Sequence, residues 1–426
     1  MTDSPEIMEV DRDRLWSSLE QLARIGAYDD EDAGTAGVRR LALTDEDLAG
    51  RRLVLEWFED AGLSVRYDRM GNVYARRPGL DDRLAPVRIG SHLDTVITGG
   101  RFDGALGVLG GLEVVRALND AGVTTQRPLE IVIFTDEEGV RFETVTLGSS
   151  VAAGRIPLEQ ARALTDRDGV TVGEELDRHG FTDGDPVPAP EPYAYLECHI
   201  EQGPVLAAEE LQVGLVTGIF AITWKEVVFT GVAAHAGTTP YELRHNAGLA
   251  AALVTVALHE MVRSGRYGDM RATAGRVEQQ PNATNVVPGS ALMTIDMRCS
   301  DAGHMAAAQE ALDDAIQRAA EEAKVAVSVR VTAQTPPVEF DPEVRTALAK
   351  SASNLGLSSL EMVSGAAHDA GQMAALGPAG MVFVPGLHDG ISHNAREWST
   401  PEACADGVAV LLRAACELAG TPTTAE

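Results

Sequence analysis

A histidine and two aspartates surround a glycine-rich bend in "GSHLDTVITGGRFDGALG", Gly90 to Gly107. Imidazole and carboxylate are the side chains that hold divalent cations, so His92, Asp94 and Asp103 draw attention first. Similar groups close other apolar runs. "FTDEEG" (134–139) carries Glu137 and Glu138, "LECHIEQG" (196–203) carries His199, and "GISHNAREW" (390–398) carries His393.

Two cations held side by side need a bridging carboxylate and about two further ligands each. His92, Asp103, Glu138, His199 and His393 could supply that set, although no local motif such as HExxH unites them. A lone histidine is more often structural. The shared context decides here: each lies at an apolar strand end or in a Gly-rich loop, where unpaired polar groups are costly to bury. In "TDEEG" adjacent side chains point to opposite sides. One Glu can therefore bind a cation while its neighbour faces a water that the cation acidifies, taking a proton and returning it to a leaving amine.

Two further residues lie in a later stretch. His235, in "GVAAHAGTTP" (231–240), is read either as a plain loop histidine or as a donor to a reacting carbonyl oxygen. Arg298, at the end of "IDMR", is read either as a surface ion pair or as a bidentate clamp on a substrate carboxylate.

The elements that must position these groups follow from periodicity. Residues 12–27, 44–63 and 103–122 have helical spacing. Thr44 with an acid three residues on suggests a capping box. Residues 64–79 read as a hairpin turning near Gly71 and Asn72. Buried strands are expected within 85–96, 127–139 and 192–203. Strands alternating with helices imply an α/β sheet, with chemistry at the carboxyl ends of its strands. From Val213 the pattern changes. Strands in 213–237, 270–281, 289–300 and 325–335 with helices 246–265 and 305–324 give a β-α-β-β-α-β order, the split βαβ, ferredoxin-like arrangement. The expected architecture is a mixed-sheet catalytic domain with helices on both faces (1–213 and 334–426), interrupted by an inserted α+β ferredoxin-like domain (214–333).

Composition bounds the rest. The 426 residues exceed one ordinary core. A net charge of −29 argues against nucleic acid or an anionic membrane as partner. No apolar run is long enough to span a bilayer. The N-terminus lacks signal-peptide features, which suggests a cytoplasmic protein. The four cysteines are scattered and read as reduced thiols. The tail "TPTTAE" reads as disordered.

Taken together, "GSHLDTV", "GGRFDGALGV", "FTDEEG", "HIEQGPVL", "AHAGTTP", "PNATNVVPG", "SGAAHDA" and "GISHNAREW" make the sequence resemble the M20 metallopeptidase-like amidohydrolases. The branch is that of hydantoinases and carbamoylases, with N-carbamoyl-L-amino-acid hydrolases, allantoate amidohydrolases and β-ureidopropionases. The resemblance implies two divalent ions per subunit (Zn, Mn, Co or Ni), bridged by Asp103. His92 and His199 complete one site; Glu138 and His393 complete the other. It implies Glu137 as general base and Asp94 as the carboxylate orienting His92. It implies substrate contacts at Gln202, His235, Asn285 and Arg298 and at the main chain of Gly365 and Ala366. It also implies a homodimer whose inserted domain serves as lid and dimerisation module, with His235 acting from the partner subunit.

Departures from the family pattern are Ala367 where "SGAGHDA" is common and Ser150 where Arg is common. The segments 141–150 and 385–393, with His388, are also unusual. They bear on substrate choice rather than on reaction class. The expected activity is hydrolysis of the ureido C–N bond of an N-carbamoyl-L-amino acid by a cation-activated water, releasing ammonia and carbon dioxide. The alternatives are allantoate or another linear amide and, outside enzymes, an inactive metal-binding sensor.

Overall fold

The structure is a computed structural model that describes residues 8–421. The expectations for the first seven residues and for the tail beyond Thr421 lie outside the described residues. Among the described residues, no helix is long and apolar enough to cross a membrane. The chain divides into two compact units. One takes the described residues up to Thr217 and from Glu339 onward; the other is Gly218–Val338.

The first unit is built on a nine-stranded mixed sheet. Its centre is four parallel neighbours in the order Leu129–Phe134, Val87–His92, Ala194–Ile200, Ala379–Val384. Every residue of these strands is buried, because both faces are covered. That is why they read as continuous apolar runs rather than alternating ones. Antiparallel strands flank them. The hairpin Ser64–Tyr67 and Val73–Arg77 turns through Gly71, at φ 78°, and pairs onto Leu129–Phe134. Val213–Ile219 lies antiparallel to Ala379–Val384 on the other side.

One face of the sheet carries helices Arg12–Leu22, Ala105–Asp120, Pro342–Asn354 and Pro401–Ala419. Ile89, Ile131, Leu196 and Val382 pack into their apolar cluster. Each such side chain contributes roughly 1.5–3 kcal/mol of burial free energy. On Ala194–Ile200 the alternation sends Glu197 and His199 to the opposite face from Leu196 and Cys198. There the short helix Asp369–Met373 donates the Ala370 N–H to Glu197 at 2.9 Å.

Three local expectations change. The first helix stops at Leu22, and Ala27–Asp30 pairs with Thr35–Val38 in a hairpin that the helical spacing had masked. The capping box at Thr44 is half formed. Thr44 accepts the Asp47 N–H at 3.4 Å, but the Asp47 carboxylate turns to Leu43 N–H and to Arg51. Val213–Ile219 joins the large sheet, so the change of unit comes a few residues later than the sequence pattern suggests.

The second unit has a four-stranded antiparallel sheet, ordered Arg271–Gln280, Ser290–Cys299, Ala221–Thr230, Ala326–Thr335. Helices Ala247–Arg263 and Ala302–Ala323 pack against one face, where Phe229, Met293, Ile295 and Met297 alternate inward. The element order is that of a split βαβ unit. A separate two-stranded ladder pairs Ala234 with Val287 and His235 with Val286.

Candidate metal centre

The four parallel strands end at one edge, and the acidic and imidazole groups collect there. His92 is the last residue of its strand and lies in register with Phe134, just before Thr135–Glu138. His199 lies in register with Phe383, and the loop bearing His393 follows Val384. This is where an open α/β sheet ordinarily places its ligands.

The distances form two trios that share Asp103. Asp103 Oδ1 lies 3.5 Å from His92 Nε2 and 3.2 Å from His199 Nε2. Its Oδ2 lies 3.7 Å from His393 Nε2, which in turn is 3.2 Å from Glu138 Oε2. Within each trio the ligand atoms lie inside 4.8 Å of one another. His92, Asp103 and His199 are buried, Glu138 is half-buried and His393 is exposed.

The chemistry of the donors fits divalent cations. His92 Nδ1 donates to the Asp94 carbonyl and His199 Nδ1 to the Ile200 carbonyl, each at 2.9 Å. A ring whose Nδ1 carries the proton turns Nε2 toward the carboxylate. In His92 that nitrogen then needs either a second proton or a cation, whereas His199 Nε2 already accepts the Gly104 N–H at 3.2 Å. Burial by itself lowers the His92 pKa, but Glu137, Asp103 and Asp94 outweigh it and raise it well above the usual imidazole value. Burial likewise raises Asp103, and His199 and His92 outweigh it, holding the carboxyl well below its ordinary range. The cluster is built to hold positive charge.

Gly104 explains the sharp bend in the opening motif. Its φ is 66°, and a Cβ there would lie 2.4 Å from the His92 ring. Only glycine lets Asp103 turn in beside that imidazole.

Asp94 differs from expectation. Its carboxylate is 3.8 Å from His92 Nδ1, too far to hydrogen-bond, and its own main-chain carbonyl orients the ring instead. The carboxylate accepts the N–H groups of Glu137 (3.3 Å) and Glu138 (3.2 Å). It holds the turn that follows Phe134.

Glu137 is buried, with Oε2 3.6 Å from His92 Nε2. Burial drives its pKa well above the usual carboxylate value; His92 opposes this, and Asp369 adds to it. A carboxyl so placed can both accept and return a proton.

Sequence reasoning missed Glu397 and Ser392. Glu397 is 2% exposed and accepts the N–H groups of Phe102 (2.9 Å) and Asp103 (3.1 Å). Ser392 Oγ lies 2.8 Å from Asp103 Oδ2 and 3.0 Å from Glu397 Oε2. Both residues stand in "GISHNAREW", but nothing local in that string points to Asp103. His368 was also passed over. It is buried, stacks edge-on against His199 at 4.6 Å and hydrogen-bonds Ser364. Glu197, His199 and His368 form a third group with closely spaced ligand atoms.

The expected substrate contacts fall in both units. Gln202 Nε2 donates to Asp103 Oδ2 at 2.7 Å, and its buried Oε1 has no hydrogen-bond partner among the described residues. Gly365 and Ala366 follow the strand Ser359–Ser364, where the Ala366 N–H donates to Ser364 Oγ at 3.1 Å. In the second unit the His235–Val286 ladder brings His235 beside Asn285, whose carbonyl accepts the Ala236 N–H at 2.9 Å. Arg298 pairs with Asp296, two residues back on its own strand, at 2.9–3.2 Å.

Known proteins place the chain. The family model described as peptidase family M20/M25/M40 matches residues 89–417. An N-carbamoyl-L-amino-acid amidohydrolase of Rhizobium meliloti is 41% identical over 97% of this chain and 98% of that protein. A ureidoglycolate hydrolase of Arabidopsis thaliana is 35% identical over 95% of this chain and 86% of its own. The crystal structure of an amidase of the hydantoinase/carbamoylase family from Burkholderia multivorans superposes with a TM-score of 0.92 at 44% identity, covering 98% of this chain and all of that one. With imidazole and carboxylate groups that could hold a metal gathered at the strand ends and matches along nearly its whole length, the chain belongs to peptidase family M20/M25/M40, as a hydrolase of the hydantoinase/carbamoylase type.

Proposed function

We propose that the protein hydrolyses the ureido C–N bond of an N-carbamoyl-L-amino acid. The observation that carries this is the shared carboxylate of Asp103, facing His92 and His199 with one oxygen and His393 with the other, beside Glu137. The names of the relatives support the same substrate class.

His92, Asp103 and His199 would hold one divalent cation, and Asp103, Glu138 and His393 a second; Zn, Mn, Co and Ni all suit such donors. Bound there, the ions supply a polarised carbonyl and a water whose pKa is brought toward neutrality. Glu137 takes the proton from the attacking water. As the water oxygen bonds to the ureido carbon, the bond from that carbon to the amino-acid nitrogen breaks, and Glu137 returns the proton to this nitrogen. The carbamate left behind decomposes to carbon dioxide and ammonia. His235 of the partner subunit is assigned as donor to the carbonyl oxygen, and Arg298 is assigned to the substrate carboxylate. Gln202, Asn285 and the main chain at Gly365 and Ala366 fix the remainder. We read residues 218–338 as a lid and dimerisation domain of a homodimer, and the compartment as cytoplasmic, in keeping with four free buried cysteines.

The test is a substrate panel. Protein loaded with Mn, Co, Ni or Zn is assayed for ammonia release from N-carbamoyl-L-amino acids, N-carbamoyl-β-alanine, allantoate and ureidoglycolate. Chelator-sensitive turnover fastest on N-carbamoyl-L-amino acids is expected. A preference for allantoate would replace the proposed substrate, as would a preference for ureidoglycolate, the substrate in the plant relative's name. No turnover on any of them would leave a metal-binding sensor.

A further inference from the structure

The main chain after His235 folds back onto its ring. Nδ1 lies 3.0 Å from the Gly237 nitrogen and 3.1 Å from the Thr238 nitrogen, and both N–H groups point at it. A main-chain N–H can only donate, so Nδ1 accepts and carries no proton. The neutral ring then bears its hydrogen on Nε2. The loop also closes on itself, with Thr239 N–H donating to the His235 carbonyl at 3.1 Å. The half-buried guanidinium of Arg244 spans it. Nη2 donates to the Ala236 carbonyl at 2.6 Å and Nε to the Thr239 carbonyl at 3.1 Å. One side chain thus grips both ends of the segment that offers its N–H groups to the imidazole.

We propose that this loop locks His235 in the Nε2–H tautomer, so that it acts only as a hydrogen-bond donor to the substrate carbonyl oxygen, and that Arg244 is the positioning residue that holds the lock. The inference rests on the assignment of His235 to that oxygen. A carbonyl oxygen gains negative charge as water adds to its carbon, and a preorganised donor favours that change. The other tautomer would turn a lone pair toward the oxygen and repel it. With Nδ1 committed to the main chain, proton transfer is left to Glu137.

The test reads the ring directly. In full-length protein carrying ¹⁵N-labelled histidine rings, the His235 signals are identified by their loss in His235→Gln. An unprotonated Nδ1 and a protonated Nε2 are expected; the reverse tautomer or a mixture overturns the proposal. Arg244→Met is expected to turn the single tautomer into a mixture and to lower kcat about 10- to 100-fold with KM little changed. Arg244→Lys should recover part of both, since an ammonium can reach one of the two carbonyls. An unchanged ring signature in Arg244→Met removes Arg244 from the role. Failure of the underlying assignment looks different: the Nε2–H signature stands, yet His235→Gln leaves kcat unaltered.

Discussion

The Glu397 carboxylate accepts the main-chain N–H of Asp103 at 3.1 Å across 294 residues of sequence. The same carboxylate reaches Phe102 N–H and, through its other oxygen, Ser392. It joins the loop that presents Asp103 to the loop that presents His393. Gly100 makes room for it, since a Cβ there would fall 2.2 Å from the Glu397 carboxyl carbon. Glu397→Ala is therefore expected to weaken divalent-cation binding about 10- to 100-fold. Glu397→Gln, which keeps an acceptor for both N–H groups, should lose far less. Competition with a chromogenic chelator measures both, and equal affinities for wild type and Glu397→Ala would refute the linkage.

Glu137 is close to the cluster but belongs to neither trio. Glu137→Gln should keep the cation content of the wild type and lower kcat by about 10²–10⁴-fold. Metal analysis beside steady-state rates checks this. Surviving turnover would move the proton-transfer role elsewhere.

Asp94 grips the N–H groups of Glu137 and Glu138, while His92 is oriented by the Asp94 carbonyl, which no side-chain replacement removes. Asp94→Ala should leave a buried and a half-buried N–H group without this acceptor and cost about 1–3 kcal/mol of stability. The expected signature is a fall in kcat with cation content retained. Loss of the cation with no disturbance of Glu137 would instead restore the carboxylate to the role of orienting His92.

Proton linkage follows from the charges in the first trio. Burial lowers His92 and His199, but neighbouring carboxylates outweigh it and raise both. Their stabilisation of the cation-free protein is complete below the ordinary imidazole pKa and is lost as pH rises through the raised value. Asp103 is depressed, so its contribution is present above the ordinary carboxylate pKa and is lost as pH falls through the lowered one. The trio therefore stabilises the cation-free protein most between about pH 4 and 6.5. A cation must displace the proton from His92 Nε2, so its apparent affinity should rise with pH and its binding at neutral pH should release protons. Titration calorimetry in buffers of different ionisation heat reads that release, and a heat independent of buffer would contradict it.

Much of the centre was legible in the sequence. His92, Glu138 and His199 each terminate or follow an apolar run read as a buried strand, His393 stands in a Gly-rich loop, and parallel strands end at a common edge. Their residue types then name the chemistry before any coordinate is known. The split βαβ order was equally plain from alternating periods. The sequence could not say that Asp94 would clamp a turn with its carboxylate and orient His92 with its carbonyl, because both acts depend on sub-ångström placement within one loop. Nor could it tie Glu397 to Asp103, or set the Gly237 and Thr238 N–H groups against the His235 ring. Side-chain type and spacing fix which groups a strand end can offer. Hydrogen-bond direction and partner are decided only when distant segments pack and each buried donor must find an acceptor.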